Sequence, residues 1–241
     1  ATLVYRSYKP ESQESFGGMW DVISFLPRHY HPFAVPSYGV RAVPELSQRI
    51  DYLARAGGQA GGCLVSAHSG GVVISIAAIA LLKEDVRKNV SFLSYGSPTG
   101  ALYGRAYPEY FDTERLIEDV AMGLGDVDQP DEPKPNKIRW FNLWRLTDWT
   151  GGYSFGPSRD RFAEFRGTDS VAPPASTYAE YVNRIEHLQF DPGCRTLSEC
   201  PEYDPVPTAI GHTDYLHDPK HHGAEDPRYQ DARGALLRMM T

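Results

Sequence analysis

Cysteine is scarce in this chain: three in 241 residues, too few for a disulfide-stapled scaffold. A chain of this length buries enough surface to fold without disulfides or a structural metal. Cys63 lies in an apolar run and reads as a small buried hydrophobe. Cys194 and Cys200 flank the segment RTLSE. They leave open a short disulfide loop, contributing about 2 kcal/mol in the chain-entropy model, and with it an oxidising compartment.

Runs of positive charge are missing too, and the formal net charge is −7. Phosphate binding needs a clustered basic footprint, so nucleic acid is excluded as an expected partner. Long hydrophobic runs are also lacking. The longest, Gly71–Leu82, is interrupted only by Ser75, and falls short of the roughly 20 residues that span a bilayer. No secretory leader is visible, so the expectation is a soluble chain. No internal repeat or domain boundary stands out, and residues 1–241 are read as one domain.

What is present is an alternation of strand-like and helix-like segments. LVYRSY (Leu3–Tyr8) reads as a strand. RAVPELSQRIDYLARAGG places Val43, Leu46, Ile50 and Leu53 on one helical stripe, with Pro44 near the start and Gly57 at the stop. Cys63–Ala67 is a buried strand candidate, and Val72–Leu82 is apolar on every side, the mark of a buried helix. Val90–Tyr95 (VSFLSY) reads as the next strand, closed by Gly96-Ser97-Pro98. Glu109–Leu124 reads as a helix burying Leu116, Ile117, Val120 and Leu124. Ile138–Leu146 alternates as a strand ending at Thr147-Asp148, and an amphipathic helix is expected near Tyr178–Leu188. Strands alternating with helices predict an α/β fold, a mainly parallel central sheet flanked by helices. Two loops, Asp126–Asn136 (DVDQPDEPKPN) and Gly151–Ser176, follow strands, and one of them is expected to border and gate a pocket.

The chemistry is concentrated at SAHSGG, residues 66–71, which joins the apolar strand to the apolar helix. A serine hydroxyl is a weak nucleophile until a base takes its proton, and the base must be oriented by a carboxylate. Ala67-His68-Ser69-Gly70-Gly71 fits a nucleophile on a sharp strand-to-helix turn, with small residues two before and two after it. Ser69 is therefore the candidate nucleophile. The Gly70 amide is the candidate oxyanion donor, helped by the helix N-terminus.

The acid and the base should follow in that order along the chain. Asp148 comes directly after a strand, and His212, in AIGHTDYLHDP, lies downstream on a loop. His217, His221 and His222 are rivals for the base within the same tail. His68 points away from Ser69 along a strand-like path and reads as a packing or substrate-pocket residue. His29 and His31 read as structural. Of the aromatic cluster around the acid, Trp140 and Trp144 belong in the core, and Trp149 and Tyr153 are candidates to line an acyl pocket.

Several separated stretches then carry a resemblance: WDVISFLPRHYHPFAVPSYGVRAVPEL, VSAHSGG, SYGSPTGALYGRAYPEYF, WFNLWRLTDWTGG and HTDYLHDP. The chain resembles the soluble hydrolase-like portion of large actinobacterial integral membrane proteins. More broadly, it resembles α/β-hydrolases of the lipase/esterase kind. The resemblance covers most of residues 20–220 and implies a triad of Ser69, Asp148 and His212 acting on small-molecule or lipid esters without a cofactor. It also implies membrane association through regions absent from this chain. The pattern departs in having no His-Gly oxyanion loop before the elbow and only one clear strand preceding Ser69. Two other readings compete. One is a metal-binding module built on His212, Asp214, His217, Asp218, His221 and His222. The other is a hydrolase-shaped domain that binds a partner without catalysis.

Overall fold

The structure, a computed structural model, describes residues 37–56, 62–124, 139–145, 148, 150–155, 182, 185–189, 212 and 215. The expected Leu3–Tyr8 strand and the 126–136 loop lie outside these residues, as do Cys194 and Cys200.

A four-stranded, wholly parallel sheet runs in the order β1 (Cys63–His68), β2 (Val90–Tyr95), β3 (Trp140–Arg145) and β4 (Glu186–Gln189). Parallel neighbours need crossovers, which place helices over the sheet. Helix α1 (Tyr38–Ala56) precedes β1, and α2 (Gly70–Ala80) and α3 (Glu84–Arg87) link β1 to β2. Between β2 and β3 come a π-helical turn (Thr99–Tyr103), α4 (Gly104–Ala106), α5 (Pro108–Phe111), α6 (Thr113–Asp119) and a 3₁₀ turn (Ala121–Gly123). This is an α/β fold. No helix among the described residues is long and apolar enough to cross a membrane.

Side chains alternate across each strand and build two cores. On one face Cys63, Val65, Ala67, Phe92, Trp140 and Trp144 pack with α1 and α2. On the other, Leu93, Leu143 and Tyr215 are buried against Leu64, Tyr95 and Phe141. Trp140 and Trp144 are core residues, as their alternation implied. Helix α2 buries Val72, Val73, Ser75, Ile76, Ala78 and Ile79, because short apolar side chains on all sides let it sit between sheet and α1.

Several elements depart from expectation. Among the described strands β1 has one neighbour, β2; only Ala67 of β1 is buried, and Ser66 is exposed. Helix α1 starts six residues before Pro44 and runs through it, burying Gly39, Ser47, Ile50 and Ala54, while Leu53 faces outward at 55% exposure. The expected helix over 109–124 is broken at Asp112, whose extended backbone ends α5 and whose side chain caps α6 through the Arg115 amide at 2.9 Å. Leu116, Ile117, Val120 and Leu124 are nevertheless all buried. The segment expected as a helix to Leu188 ends as strand β4, where pairing with β3 overrides helical periodicity.

Candidate active site

Register brings the functional loops to one edge. His68 pairs with Tyr95 and Tyr95 with Leu143, so β1 and β2 finish level and β3 two residues further on, and Ser69, Gly96 and Asp148 all follow carboxyl ends. In open α/β sheets that edge is where ligands bind.

Ser69 stands between β1 and α2 with φ 55° and ψ −129°, making it the non-glycine residue with positive φ among the described residues. Such a conformation costs on the order of 1–3 kcal/mol and persists only where surroundings enforce it. The enforcement is visible: the Ser69 amide donates to the Tyr95 carbonyl at 3.2 Å, and the Ser69 carbonyl accepts from Val72 at 2.9 Å. Gly70 opens α2 immediately afterwards, so its amide lies at a helix N-terminus, where partial positive charge favours an anion. A Cβ built on Gly70 or Gly71 meets nothing within 4 Å, so packing does not demand glycine at either position.

His212 lies over the elbow. Its Nε2 is 2.7 Å from Ser69 Oγ, and its Nδ1 is 2.9 Å from Asp148 Oδ2 and 3.0 Å from Oδ1. A carboxylate can only accept, so Nδ1 carries the proton and Nε2 presents a lone pair to the serine hydroxyl. The imidazole is partly exposed, whereas the Asp148 side chain is fully buried.

Asp148 is held by more than the histidine. Oδ1 accepts from the Gly151 amide at 2.7 Å, the Thr150 amide at 3.0 Å and Thr150 Oγ1 at 3.1 Å. Oδ2 accepts from Tyr215 Oη at 2.7 Å. Burial pushes the carboxyl pKa upward, but the bonds from His212, Gly151 and Tyr215 outweigh it and bring it down to about 2. Burial and the neighbouring Asp148 charge raise the Tyr215 phenol, which stays a donor. Arg145 lies over the Tyr215 ring at 4.6 Å, placing a buried cation beneath the buried anion's partner.

The loop carrying Thr150 and Gly151 is fixed from below. Asn142 donates to the Gly152 carbonyl at 3.1 Å and to Glu186 Oε2 at 2.8 Å, and accepts from Ser94 at 2.8 Å. Glu186 Oε1 accepts from the Ser154 amide at 2.7 Å, and Ser154 Oγ donates to Ser97 Oγ at 3.0 Å. Two glycines make the close approach feasible. A Cβ at Gly151 would run into the Asp148 carboxylate and the Gly96 backbone, and Gly96 itself has φ +57°.

The structure thus brings Ser69, Asp148 and His212 together. Tyr153 does not join them as a pocket residue: it is buried in the core, edge-on to Trp144, because strand and loop turn it inward. The Gly151–Phe155 start of the expected gating loop is largely buried for the same reason. His68 turns its Nε2 to the His212 carbonyl instead of to open space. Trp149, Asp214, His217, Asp218, His221 and His222 lie outside the described residues, and no metal-binding group of three or more His, Cys, Asp or Glu occurs among the described ones. Thr150, Gly151, Gly96 and Tyr215 were not anticipated as site residues. The strings DWTGG and HTDY, which carry three of them, were the available signals. Comparison with known protein families, curated proteins and solved structures finds no match to this chain.

Proposed function

We propose that the chain is a serine hydrolase of α/β-hydrolase type, cleaving carboxylic esters of small molecules or lipids through an acyl-enzyme. One observation carries the reading: a strained serine at a strand-to-helix turn lies 2.7 Å from an imidazole whose other nitrogen is 2.9 Å from a buried carboxylate. In the first half-reaction Ser69 Oγ adds to the ester carbonyl while His212 Nε2 takes its proton. The resulting oxyanion faces the Gly70 amide. Collapse expels the alkoxide, which receives that proton from His212. Water then adds to the acyl-serine, again losing its proton to Nε2, and the acid leaves with Ser69 restored.

Asp148 stays anionic throughout. Its charge stabilises the imidazolium that forms twice per cycle, and its hydrogen bond fixes the tautomer that leaves Nε2 basic. Both nitrogens of His212 are engaged in this chain of bonds, so recruiting His212 as a metal ligand would dismantle it. Hydrolysis of a short-chain activated ester by the intact chain tests the proposal. Turnover that disappears in His212→Ala supports it. Turnover that survives in His212→Ala and disappears in His217→Ala, His221→Ala or His222→Ala assigns the base elsewhere.

A further inference from the structure

His68 precedes the serine but does not act on it. Strand alternation turns its ring to the face of the sheet shared by Tyr95 and Tyr215, with ring centroids 5.3 and 6.0 Å away. The imidazole stacks on Tyr95 at an interplanar angle of 21° and lies 4.7 Å from the His212 ring. Its Nε2 is 2.7 Å from the His212 backbone carbonyl. Gly96 leaves room for both rings: a Cβ there would stand 3.0 Å from His68 Nε2 and 3.2 Å from His212 Cε1.

We propose that His68 is a positioning residue: it fixes the backbone of the base to the strand that carries the nucleophile. The proposal rests on the reading of Ser69 and His212 as nucleophile and base. A carbonyl oxygen can only accept, so His68 must hold its proton on Nε2. His212, bound to a carboxylate through Nδ1, holds its proton on the other nitrogen. Two histidines in ring contact are therefore in opposite tautomers. Burial lowers the His68 pKa, which keeps that ring neutral. The physical consequence is a short path between reacting groups. Ser69 is one residue from the clamp and His212 is the clamp's acceptor, so a single hydrogen bond ties the backbone of the base directly to the strand that carries the nucleophile.

Nitrogen-15 imidazole spectra of the intact protein, recorded near neutral pH, read both tautomers directly. The expected result is His68 protonated on Nε2 and His212 on Nδ1. His68→Phe keeps a ring but removes the donor, and should shift or broaden the His212 resonances. His68→Gln places an amide donor at nearly the same reach and should preserve them. In ester hydrolysis His68→Phe should lower kcat on the order of ten- to a hundredfold, as for an ångström-scale misplacement, with KM little changed and His68→Gln recovering most of it. Finding His68 protonated on Nδ1 would overturn the clamp, as would wild-type kcat and His212 resonances in folded His68→Phe. If the spectra behave as expected but no ester is turned over, the clamp stands and the hydrolase reading fails. If ester is turned over while His68 is in the other tautomer, the reverse holds.

Discussion

The Asp148 carboxylate accepts hydrogen bonds from a backbone loop, a phenol, a hydroxyl and an imidazole at once. With its pKa at about 2 it remains charged at any pH where the protein would work. The pH profile of ester hydrolysis should therefore carry no limb from this carboxylate, and a limb in the ordinary carboxylate range that vanishes in Asp148→Asn would contradict that. Stability carries the other signature. A depressed carboxyl pKa contributes stability that is complete above the unfolded value of about 3.9. That contribution is lost as pH falls towards about 2. Urea unfolding between pH 5 and pH 2 should show a steeper loss in wild type than in Asp148→Asn; parallel curves would mean that the carboxylate is not so held.

Side chains acting as one unit are not additive. Ser69→Ala and His212→Ala should each lower turnover by several orders of magnitude, and the double variant should be little worse than either. Asp148→Asn should lose less, since serine and base remain. Additive losses in steady-state kinetics would show the two groups working separately.

At the scale of elements, the site depends on the polar bonds under the 150–155 loop. Asn142 on β3 ties Ser94 of β2, Glu186 of β4 and the Gly152 carbonyl into one buried cluster. Asn142→Ala removes the hydrogen bonds to Ser94, Glu186 and the Gly152 carbonyl, each contributing about 0.5–1.5 kcal/mol. Thermal unfolding should register that loss, and ester turnover should fall with it because Thr150 and Gly151 no longer have a fixed support. An unchanged melting temperature would show that the cluster contributes nothing.

Elements that rest on contiguous apolar sequence were readable in advance. VSFLSY is β2 residue for residue, and the segment expected as a helix over Val72–Leu82 is α2 as far as Ala80. Ser69 and Asp148 were findable because they immediately follow such segments. Features set by long-range pairing were not. β4 looks helical in isolation, and Leu53 faces outward although Val43, Leu46 and Ile50 of the same stripe pack on the core. His68 and Tyr215 share a ring contact only because of the β1–β2 register and the return of the chain to the carboxyl edge.

At the scale of the molecule, the parallel sheet of the described residues places three loops from distant parts of the sequence at a common edge, and among those residues the non-glycine with positive φ, Ser69, stands there. Folding energy holding a single residue's backbone in a costly conformation points to a use for that residue. Its reactivity is the central claim. Treating the intact chain with a fluorophosphonate and locating the adduct by peptide mass spectrometry tests it without assuming a substrate. The account predicts stoichiometric modification of Ser69, abolished in Ser69→Ala and strongly slowed in His212→Ala. An unmodified Ser69, or labelling indifferent to His212, would contradict it.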